Sequence, residues 1–317
     1  MEMLKLAPAY KDYVWGGTRL KTEFGKQTGL DIIAESWELS CHPEGESRVS
    51  GGRYDGMTLS DVIKATGKRI LGTNCKKFDT FPLLIKLIDT GAPLSVQVHP
   101  GDAYARKNEG QRGKTEMWYV IDHEEDAFIY HGLSRKITQT ELAERIKNDT
   151  LTQVLNKVTV KKGDVFLIKP GTIHAVGKGV LLAEIQQNSN LTYRIYDYNR
   201  LDSHGNPRPL HIEKAIAVAD LSPPDDPPRK DGFLAKCEYF SVRLQRVAGK
   251  ARLPAGRKSF QSLLIISGGG EVKRGRQKFH FNKGDSIFIP AKTGRYSITG
   301  NCEIIITYTG EAGNNHG

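Results

Sequence analysis

The chain has 317 residues, a mass of 35.2 kDa, 38% hydrophobic and 26% charged residues, which is typical of a globular protein larger than one domain. It contains no run of 18 or more uncharged apolar residues, and charges occur early in the N-terminal segment, so we predict neither a membrane span nor a secretory signal. The net charge is +10, but the basic residues are scattered, so we expect no nucleic-acid partner and favour a small anionic substrate.

The cysteines are far apart and form no CxxC motif, which argues against a disulfide framework and against a thiolate zinc site. We therefore expect a reducing, cytoplasmic location. The sequence leaves the oligomeric state open between monomer and homodimer. The four cysteines are Cys41, Cys75, Cys237 and Cys302.

Most of the chain consists of short runs of β-branched or aromatic residues, separated by glycine, proline, asparagine and aspartate. Short strands at this spacing are typical of a β-sandwich or a barrel. The sequence therefore predicts an all-β fold. The expected strands are 83–88, 94–98, 117–121, 165–168, 181–185, 263–266, 286–289 and 304–308.

Helical patterns are few. Residues 58–65 predict one short helix. A capping box at residues 138–141 (TQTE) precedes apolar residues spaced mostly three to five apart, which predicts a small helical segment at about 137–157.

A proline-rich stretch divides the chain. Residues 221–230 (LSPPDDPPRK) contain four prolines and cannot form a helix or a central strand, so they predict an extended linker. The expected units are residues 1–220 and 231–317, and both are long enough to bury a core.

A weak internal repeat suggests that the two units are related. Residues 162–170 (KGDVFLIKP) recur as residues 283–290 (KGDSIFIP), in each case a Gly-Asp turn leading into a strand that ends at a proline. The first copy continues to His174, and the second copy has no histidine at that place. We therefore expect two small barrels, of which only the first can hold a metal ion.

Polar side chains alternate along two predicted strands of the first unit. Alternation places Ser95, Gln97 and His99 on one face of a strand, and Lys114 and Glu116 on one face of the next. With His174, these stretches offer two imidazoles, one carboxylate and one amide oxygen to a divalent ion. Zinc is favoured for such a set, with Fe(II), Mn and Co as alternatives. The predicted ligands are Gln97, His99, Glu116 and His174.

The motifs that carry these residues strongly resemble the type I mannose-6-phosphate isomerases, and their order and spacing are most similar to the shorter bacterial form. The resemblance extends from about residue 6 to about residue 215. The matching stretches are 13–17 (YVWGG), 35–38 (ESWE), 95–100 (SVQVHP), 114–118 (KTEMW), 170–175 (PGTIHA) and 193–197 (YRIYD).

The resemblance implies two cupin (jelly-roll) barrels, one zinc ion per chain, and interconversion of mannose 6-phosphate and fructose 6-phosphate through an enediol. It implies that the four ligands above hold the zinc and that Arg194 is catalytic. It also places Ser95, Lys114 and Glu184 at the sugar-phosphate pocket. The chain departs from larger members in having only a small helical segment, and Asn190 stands where some members have Asp.

Other roles follow from residue chemistry. The proton that moves between C1 and C2 needs a base, and the sequence does not choose between Glu184 and Lys114. Arg194 stays charged and suits a phosphate or an enediolate oxygen. Lys86 and Arg200 are candidates for the phosphate, and Trp15 is a candidate for stacking on the sugar. The histidines outside the motifs, His211 among them, are interpreted as structural or exposed.

Two other classes of protein remain open at this stage. Two histidines and a carboxylate would also suit an Fe(II) cupin that uses dioxygen. A non-catalytic cupin that binds a sugar phosphate would keep the same residues without turnover. The cations Lys114 and Arg194 favour a phosphorylated substrate over the first alternative.

Overall fold

The computed structural model describes residues 2–198, 200–201, 205–225 and 232–310. Strands form most of the regular structure, which confirms the prediction of a mainly β chain. Across the described residues each sheet runs from one edge strand to another without closing on itself. Within the same residues no helix has the length and apolarity needed to cross a bilayer.

The N-terminal two thirds of the chain contain short strands, several of which coincide with the predicted runs. In chain order they are β1 (Leu4–Ala7), β2 (Ala9–Lys11), β3 (Glu35–Leu39), β4 (Cys41–His42), β5 (Gly45–Glu46), β6 (Arg48–Val49), β7 (Leu83–Asp89), β8 (Val96–Val98), β9 (Glu116–His123), β10 (Phe128–Leu133), β11 (Leu155–Thr159), β12 (Val165–Ile168), β13 (His174–Val176), β14 (Val180–Gln187) and β15 (Tyr193–Tyr196).

The C-terminal strands include one with the predicted bounds, at 286–289, and two that are longer than predicted and contain the expected runs 263–266 and 304–308. They are β16 (Ala235–Lys236), β17 (Phe240–Ala255), β18 (Gln261–Arg274), β19 (Gln277–Asn282), β20 (Ser286–Ile289) and β21 (Gly294–Thr309).

The helices are short and lie between strands. The α-helices are α1 (Arg19–Thr22), α2 (Leu59–Thr66), α3 (Asp102–Glu109), α4 (Gln139–Lys147) and α5 (Ile212–Val218), and 3-10 turns occur at Gly52–Tyr54, Lys68–Ile70, Thr73–Lys77 and Leu151–Val154.

The predicted helical segment at 137–157 is correct at its start and wrong at its end. The hydroxyl of Thr138 accepts a hydrogen bond from the Glu141 amide at 3.1 Å, which caps α4 as the sequence predicted. Residues 155–157 instead begin β11, which pairs with β10. Pairing with a neighbouring strand therefore overrides the helical spacing of the apolar residues there.

Three sheets stack in layers. A five-stranded sheet has the order β11-β10-β13-β8-β15, and a six-stranded sheet has the order β12-β9-β14-β7-β3-β2. The six C-terminal strands form an eight-stranded sheet together with β1 and β6, and this is called the C-terminal sheet. One core cluster, which includes Ile129 and Leu182, lies between the five- and six-stranded sheets. A second cluster, which includes Ile185 and Phe288, lies between the six-stranded sheet and the C-terminal sheet.

The six-stranded sheet is therefore covered on both faces, and every residue of β7 and β14 is buried. Such strands usually consist of continuous apolar residues. Here polar residues interrupt them, notably Lys86 in β7 and Glu184 in β14. Because a buried charge is costly unless it is paired, these positions indicate a site that the sheet is built to hold.

The two predicted units share a sheet. The N-terminal strand β1 pairs with β20 in the C-terminal sheet, with Leu4 opposite Phe288. Both copies of the repeat have the expected turn, since Gly163 and Gly284 have φ values of 90° and 92° immediately before their aspartates. Residues 226–230 of the predicted linker lie outside the described residues.

A buried ion pair connects the N-terminal segment to the C-terminal sheet. Lys26 Nζ lies 2.5 Å from Glu38 Oε1 and donates a hydrogen bond to the Gly284 carbonyl at 2.6 Å. The Ser36 hydroxyl also donates to Glu38 Oε1, at 2.6 Å. Burial raises the pKa of Glu38, and the Lys26 charge opposes that rise. Removing Lys26 would therefore leave a buried carboxyl group without its cation.

Lys26→Met is expected to lower the free energy of unfolding by about 3–5 kcal/mol, because breaking one side of a buried pair leaves the other uncompensated. Lys64→Met is the control, since the Lys64–Asp61 pair is exposed, and it should leave stability unchanged within error. Urea denaturation followed by circular dichroism measures both. The double variant Lys26→Met/Glu38→Leu should recover most of the loss, and a Lys26→Met protein as stable as wild type would contradict this account.

Candidate active site

Two rows of side chains face each other between the five- and six-stranded sheets. In the first sheet, His174 of β13, Gln97 of β8 and Arg194 of β15 lie directly opposite one another. Directly opposed residues in a sheet share a face and lie close together. In the second sheet the corresponding row is Trp118, Glu184, Lys86 and Trp37.

His99, Glu116 and His174 form a compact buried cluster where the two sheets meet. Their candidate ligand atoms all lie within 4.8 Å of one another. His174 Nε2 is 3.4 Å from Glu116 Oε1, and His99 Nε2 is 3.7 Å from Glu116 Oε2. These three residues come from three separate stretches of the chain, as the sequence predicted.

Hydrogen bonding fixes which nitrogen of His174 carries the proton. His174 Nδ1 lies 2.8 Å from the Thr172 carbonyl, which can only accept, so Nδ1 donates and Nε2 keeps a free lone pair. The Gln97 amide lies beside that lone pair, with Nε2 to Nε2 at 3.3 Å. Rotation of the amide by half a turn would present its oxygen to the same point. Gln97 thus lies at the edge of the cluster.

The chemistry of this cluster fits a divalent cation. Burial lowers the pKa of His174 to about 3 and lowers that of His99 well below its usual value, so both imidazoles are neutral at pH 7. Burial and the Glu184 charge raise the pKa of Glu116 to about 7, which shows that this carboxylate is short of positive charge. Glu116 Oε1 accepts no hydrogen bond from any residue that the structure describes. Neutral imidazoles and a carboxylate are the ligands that zinc and related ions take.

A cavity of about 250 Å³ opens beside the cluster. It is lined by all the residues that the sequence suggested for catalysis or substrate binding except Arg200, and also by Gln97. The predicted residues that line it are Trp15, Lys86, Ser95, Gln97, Lys114, Glu184 and Arg194, and the remaining lining residues are Tyr13, Glu35, Ile88, Leu94, Asn190, Thr192, Arg208 and His211.

Lys86 lies at the base of this cavity between two carboxylates. Its Nζ is 3.2 Å from Glu35 Oε2 and 3.1 Å from Glu184 Oε1, and only 2% of its side chain is exposed. Burial lowers the pKa of Lys86, but the two carboxylates outweigh burial and raise it above its usual value. Each carboxylate also accepts an indole N–H, from Trp37 at 2.6 Å and from Trp118 at 2.9 Å.

The ionisation of Glu184 follows from this arrangement. Burial by itself would raise its pKa, but Lys86 and Lys114 outweigh burial and lower the pKa to about 2. One of its oxygens faces Lys86 and the other accepts from Trp118. Glu184 is therefore a permanent, fully engaged anion at neutral pH.

Lys114 connects the cavity to the histidine cluster. Its Nζ is 2.8 Å from Glu116 Oε2 and 3.1 Å from His99 Nε2. The side chain is buried but still lines the cavity, so its ammonium group lies between the carboxylate and the space that a ligand would fill.

Arg194 lies at the opposite wall, where further cations gather. Its Nη1 donates to the Pro209 carbonyl at 2.9 Å, and its buried Nε has no acceptor among the described residues. Arg208 is held by Asp197, with Nε 2.7 Å from Oδ2. Burial and the neighbouring Arg208 charge both lower the pKa of Arg194. Asp197 offsets part of the positive charge of this wall, and an anion in the cavity would offset the rest.

Some cavity residues were missed by the sequence analysis. His211 was interpreted as structural or exposed, but it lines the cavity, and its Nδ1 accepts from the Arg194 amide at 3.3 Å. Arg208 was not considered, and no local motif marks either residue, because a chain segment that follows β15 brings them back. Arg200 was considered for phosphate, but it binds the Pro93 carbonyl and Asp197 and does not line the cavity.

Asn190 has a physical reason to be an amide. Its Nδ2 donates to Glu44 Oε2 at 2.6 Å across the cavity wall. An aspartate at this position would place two carboxylates at hydrogen-bonding distance, and like charges that close repel. The neighbouring Glu44 carboxylate therefore explains why this chain has Asn190 where some family members have Asp.

Comparison with known proteins was made on sequence and on structure. A model of the type I phosphomannose isomerase catalytic domain matches residues 3–129, and a model of the mannose-6-phosphate isomerase cupin domain matches residues 230–309. Mannose-6-phosphate isomerase ManA of Bacillus subtilis is 38% identical over 97% of this chain and 99% of that protein. A mannose-6-phosphate isomerase of Streptococcus mutans is 35% identical over 94% of this chain and 95% of that protein.

The solved structures agree with the sequence matches. The crystal structure of a mannose 6-phosphate isomerase from Bacillus subtilis superposes with a TM-score of 0.88 at 37% identity, covering 97% of this chain and 99% of that chain. The layered sheets and the buried His–Glu–His cluster thus define a cupin-type protein with a candidate metal centre. Within that class, the chain belongs to the type I mannose-6-phosphate isomerase family.

The metal centre is testable without reference to activity. We expect the purified protein to retain about one divalent ion per chain, and His99→Ala or His174→Ala to weaken metal binding by more than about 10-fold. His280→Ala is the matched control, because the His280 side chain is 83% exposed. Elemental analysis after dialysis, with chelator competition, measures the loss. Equal metal content in His174→Ala and in wild type would refute the assignment.

Proposed function

We propose that this protein interconverts D-mannose 6-phosphate and D-fructose 6-phosphate by moving a proton between C1 and C2 through an enediol, with one zinc ion per chain. The observation that supports this most directly is the His99–Glu116–His174 cluster beside a cavity whose wall carries Arg194 and Arg208. The names of relatives that match nearly the whole chain support the same reaction.

In this proposal His99, Glu116, His174 and Gln97 hold the zinc ion. When bound, zinc would supply a Lewis acid that stabilises negative charge developing on the sugar oxygens. Gln97 is neutral, so the ligand set carries a single negative charge and leaves the centre more positive than two carboxylates would. A neutral Gln97 in the ligand set therefore suits a reaction in which negative charge develops on a sugar oxygen.

The sequence left two candidates for the proton transfer, and the contacts of Glu184 favour Lys114. Both oxygens of Glu184 are engaged by Lys86 and Trp118, and its pKa is about 2, so it is a poor acceptor for a carbon-bound proton. Lys114 lines the cavity beside Glu116. We therefore assign proton transfer to Lys114, and we assign to Glu184 the positioning of Lys86 and the indole of Trp118.

The other end of the sugar phosphate would lie against the cationic wall. Arg194 Nε is buried without an acceptor in the described part of the chain, and a phosphate or enediolate oxygen would satisfy it. Trp15 offers an aromatic face that packs against Tyr13 at 5.7 Å between centroids, which suits the apolar side of a sugar ring. Ser95 and Lys86 complete the polar lining.

We also propose the finer organisation that the family implies. Residues 1–220 would form a catalytic jelly-roll unit, residues 221–230 a linker, and residues 231–317 a cupin-like unit without metal ligands. The cupin-domain match at residues 230–309 supports the second boundary. A cytoplasmic location is supported by four free cysteines, and burial raises the pKa of Cys41 to about 12 and that of Cys75 to about 11.

A coupled assay on mannose 6-phosphate tests the reaction. We expect wild type to be active, chelator to abolish activity, and His174→Ala to lose at least about 100-fold in kcat, because electrostatic stabilisation in such sites accounts for factors of that size. His280→Ala should remain fully active. Glucose 6-phosphate is assayed in parallel as a competing substrate. Bound iron with oxygen uptake, or tight sugar-phosphate binding without turnover, would favour the other classes instead.

The assignment of the proton-transfer group predicts an asymmetry between two variants. Lys114→Met should slow exchange of the C2 proton with solvent deuterium by about 100-fold or more. Glu184→Gln keeps the shape of its side chain and should retain a larger residual rate, because its oxygens contact Lys86 and Trp118. Proton NMR of the sugar in deuterated buffer measures both. The reverse order of rates would show that Glu184 is the base.

A further inference from the structure

A second cavity, of about 350 Å³, lies at one end of the C-terminal sheet. Ser241 of β17, Tyr308 of β21 and Gln261 of β18 lie side by side in its wall. Leu263 and Ile306, each two residues further along its strand, belong to the C-terminal core cluster on the same face. The cavity is therefore the open end of the C-terminal core, and it is lined by none of the residues of the candidate active site.

The charged side chains described in the lining of this cavity are all basic. Lys236, Arg243, Arg257 and Lys258 line it, and among the residues that the structure describes no carboxylate does. Within the described ranges no ion pair involves Lys236, Arg243 or Arg257. Other basic side chains of this sheet do find carboxylates.

Arg246 provides the contrast. It lies on the same strand as Arg243, three residues further on, and its Nε is 2.7 Å from Glu303 Oε1. Within the described residues Lys236, Arg243 and Arg257 thus bring three cations without an ion pair into one concavity. Such a concave positive surface attracts anions.

The aromatic ring of Phe233 contacts two of these cations. The guanidinium carbon of Arg243 lies 3.8 Å from the centroid of the Phe233 ring, and Lys236 Nζ lies 5.5 Å from the same centroid. A stacked guanidinium loses less conformational freedom when it binds a ligand, and its fork of N–H groups matches a phosphate. Burial raises the pKa of Tyr308 while the Arg243 charge opposes the rise, so the phenol is a donor at neutral pH.

The floor of the cavity is polar. Ser241, Ser259, Gln261 and Thr309 are buried there, and the amide of Gln261 is fixed by hydrogen bonds to the Pro254 carbonyl at 2.7 Å and from the Tyr296 hydroxyl at 2.5 Å. The hydroxyl groups of Ser241 and Tyr308, which also line the cavity, make no side-chain hydrogen bond within the described residues, so they suit a ligand that has hydroxyl groups as well as a phosphate.

We propose that this cavity is a second ligand site, which binds a small phosphorylated polyol, with the phosphate held by Arg243, Arg257 and Lys236. The site does not depend on the proposed reaction, because it shares no residue with the catalytic cavity. It gives the C-terminal unit a binding role of its own.

Titration of the full-length protein with glycerol 2-phosphate and with inorganic phosphate, followed by amide chemical shifts in two-dimensional NMR, tests the proposal. We expect saturable shifts at Gly256, Ser259 and Thr309 with both probes, and smaller, non-saturating shifts with sodium chloride at the same ionic strength. Tighter binding of glycerol 2-phosphate than of inorganic phosphate would support a polyol ligand, and equal affinity would restrict the site to the phosphate group.

Arg243→Ala should weaken binding of both probes at least 5-fold, and Arg257→Glu should weaken it further. Arg246→Ala is the matched control and should bind as wild type does. All three side chains are exposed, so the variants are expected to fold, and their thermal unfolding is compared with wild type. Shifts that do not saturate, or an Arg246→Ala protein that loses as much affinity as Arg243→Ala, would overturn the proposal.

Discussion

The site depends on one buried cation, Lys86, held between Glu35 and Glu184 in a sheet that is covered on both faces. Removing an ammonium group from water costs several kcal/mol, and the cost is offset only when its partners are close and their remaining lone pairs are satisfied. The carboxylates are close to Lys86 Nζ, at 3.2 and 3.1 Å, and each also accepts an indole N–H. The pairing with Lys86 lowers the pKa of Glu184 and so keeps that carboxylate ionised.

That constraint extends to the histidine cluster. Glu184 is kept ionised by Lys86, and its charge is one of the causes that raise the pKa of Glu116. A carboxylate in that state has a strong preference for a nearby cation. Lys114 supplies one positive charge at 2.8 Å, and the neutral imidazoles of His99 and His174 supply none. A divalent ion bound between the three side chains would supply the positive charge that Glu116 lacks.

The sequence predicted which residues lie near this site better than it predicted the strands and segments that position them. Alternation along a strand was sufficient to group Ser95, Gln97 and His99, because a period of two is a local property. Arg208 and His211 were missed because they reach the cavity through tertiary structure, along a segment that returns after β15. The end of the helical segment near residue 155 was wrong for a similar reason, since strand pairing with β10 overrides local spacing.

Tertiary structure also determines how the two units contact each other, so the linker sequence could not predict those contacts. The face of β7 that points away from the cavity is apolar, and Phe288 and Leu264 of the C-terminal sheet cover it. Strand β1 and the Lys26–Glu38 pair attach that sheet to the first unit. The C-terminal sheet therefore has one face committed to covering the catalytic layer. Its other face encloses a separate core, and the cationic cavity lies at the open end of that core. Both faces of the sheet therefore have a physical role, although the second repeat has no counterpart of His174.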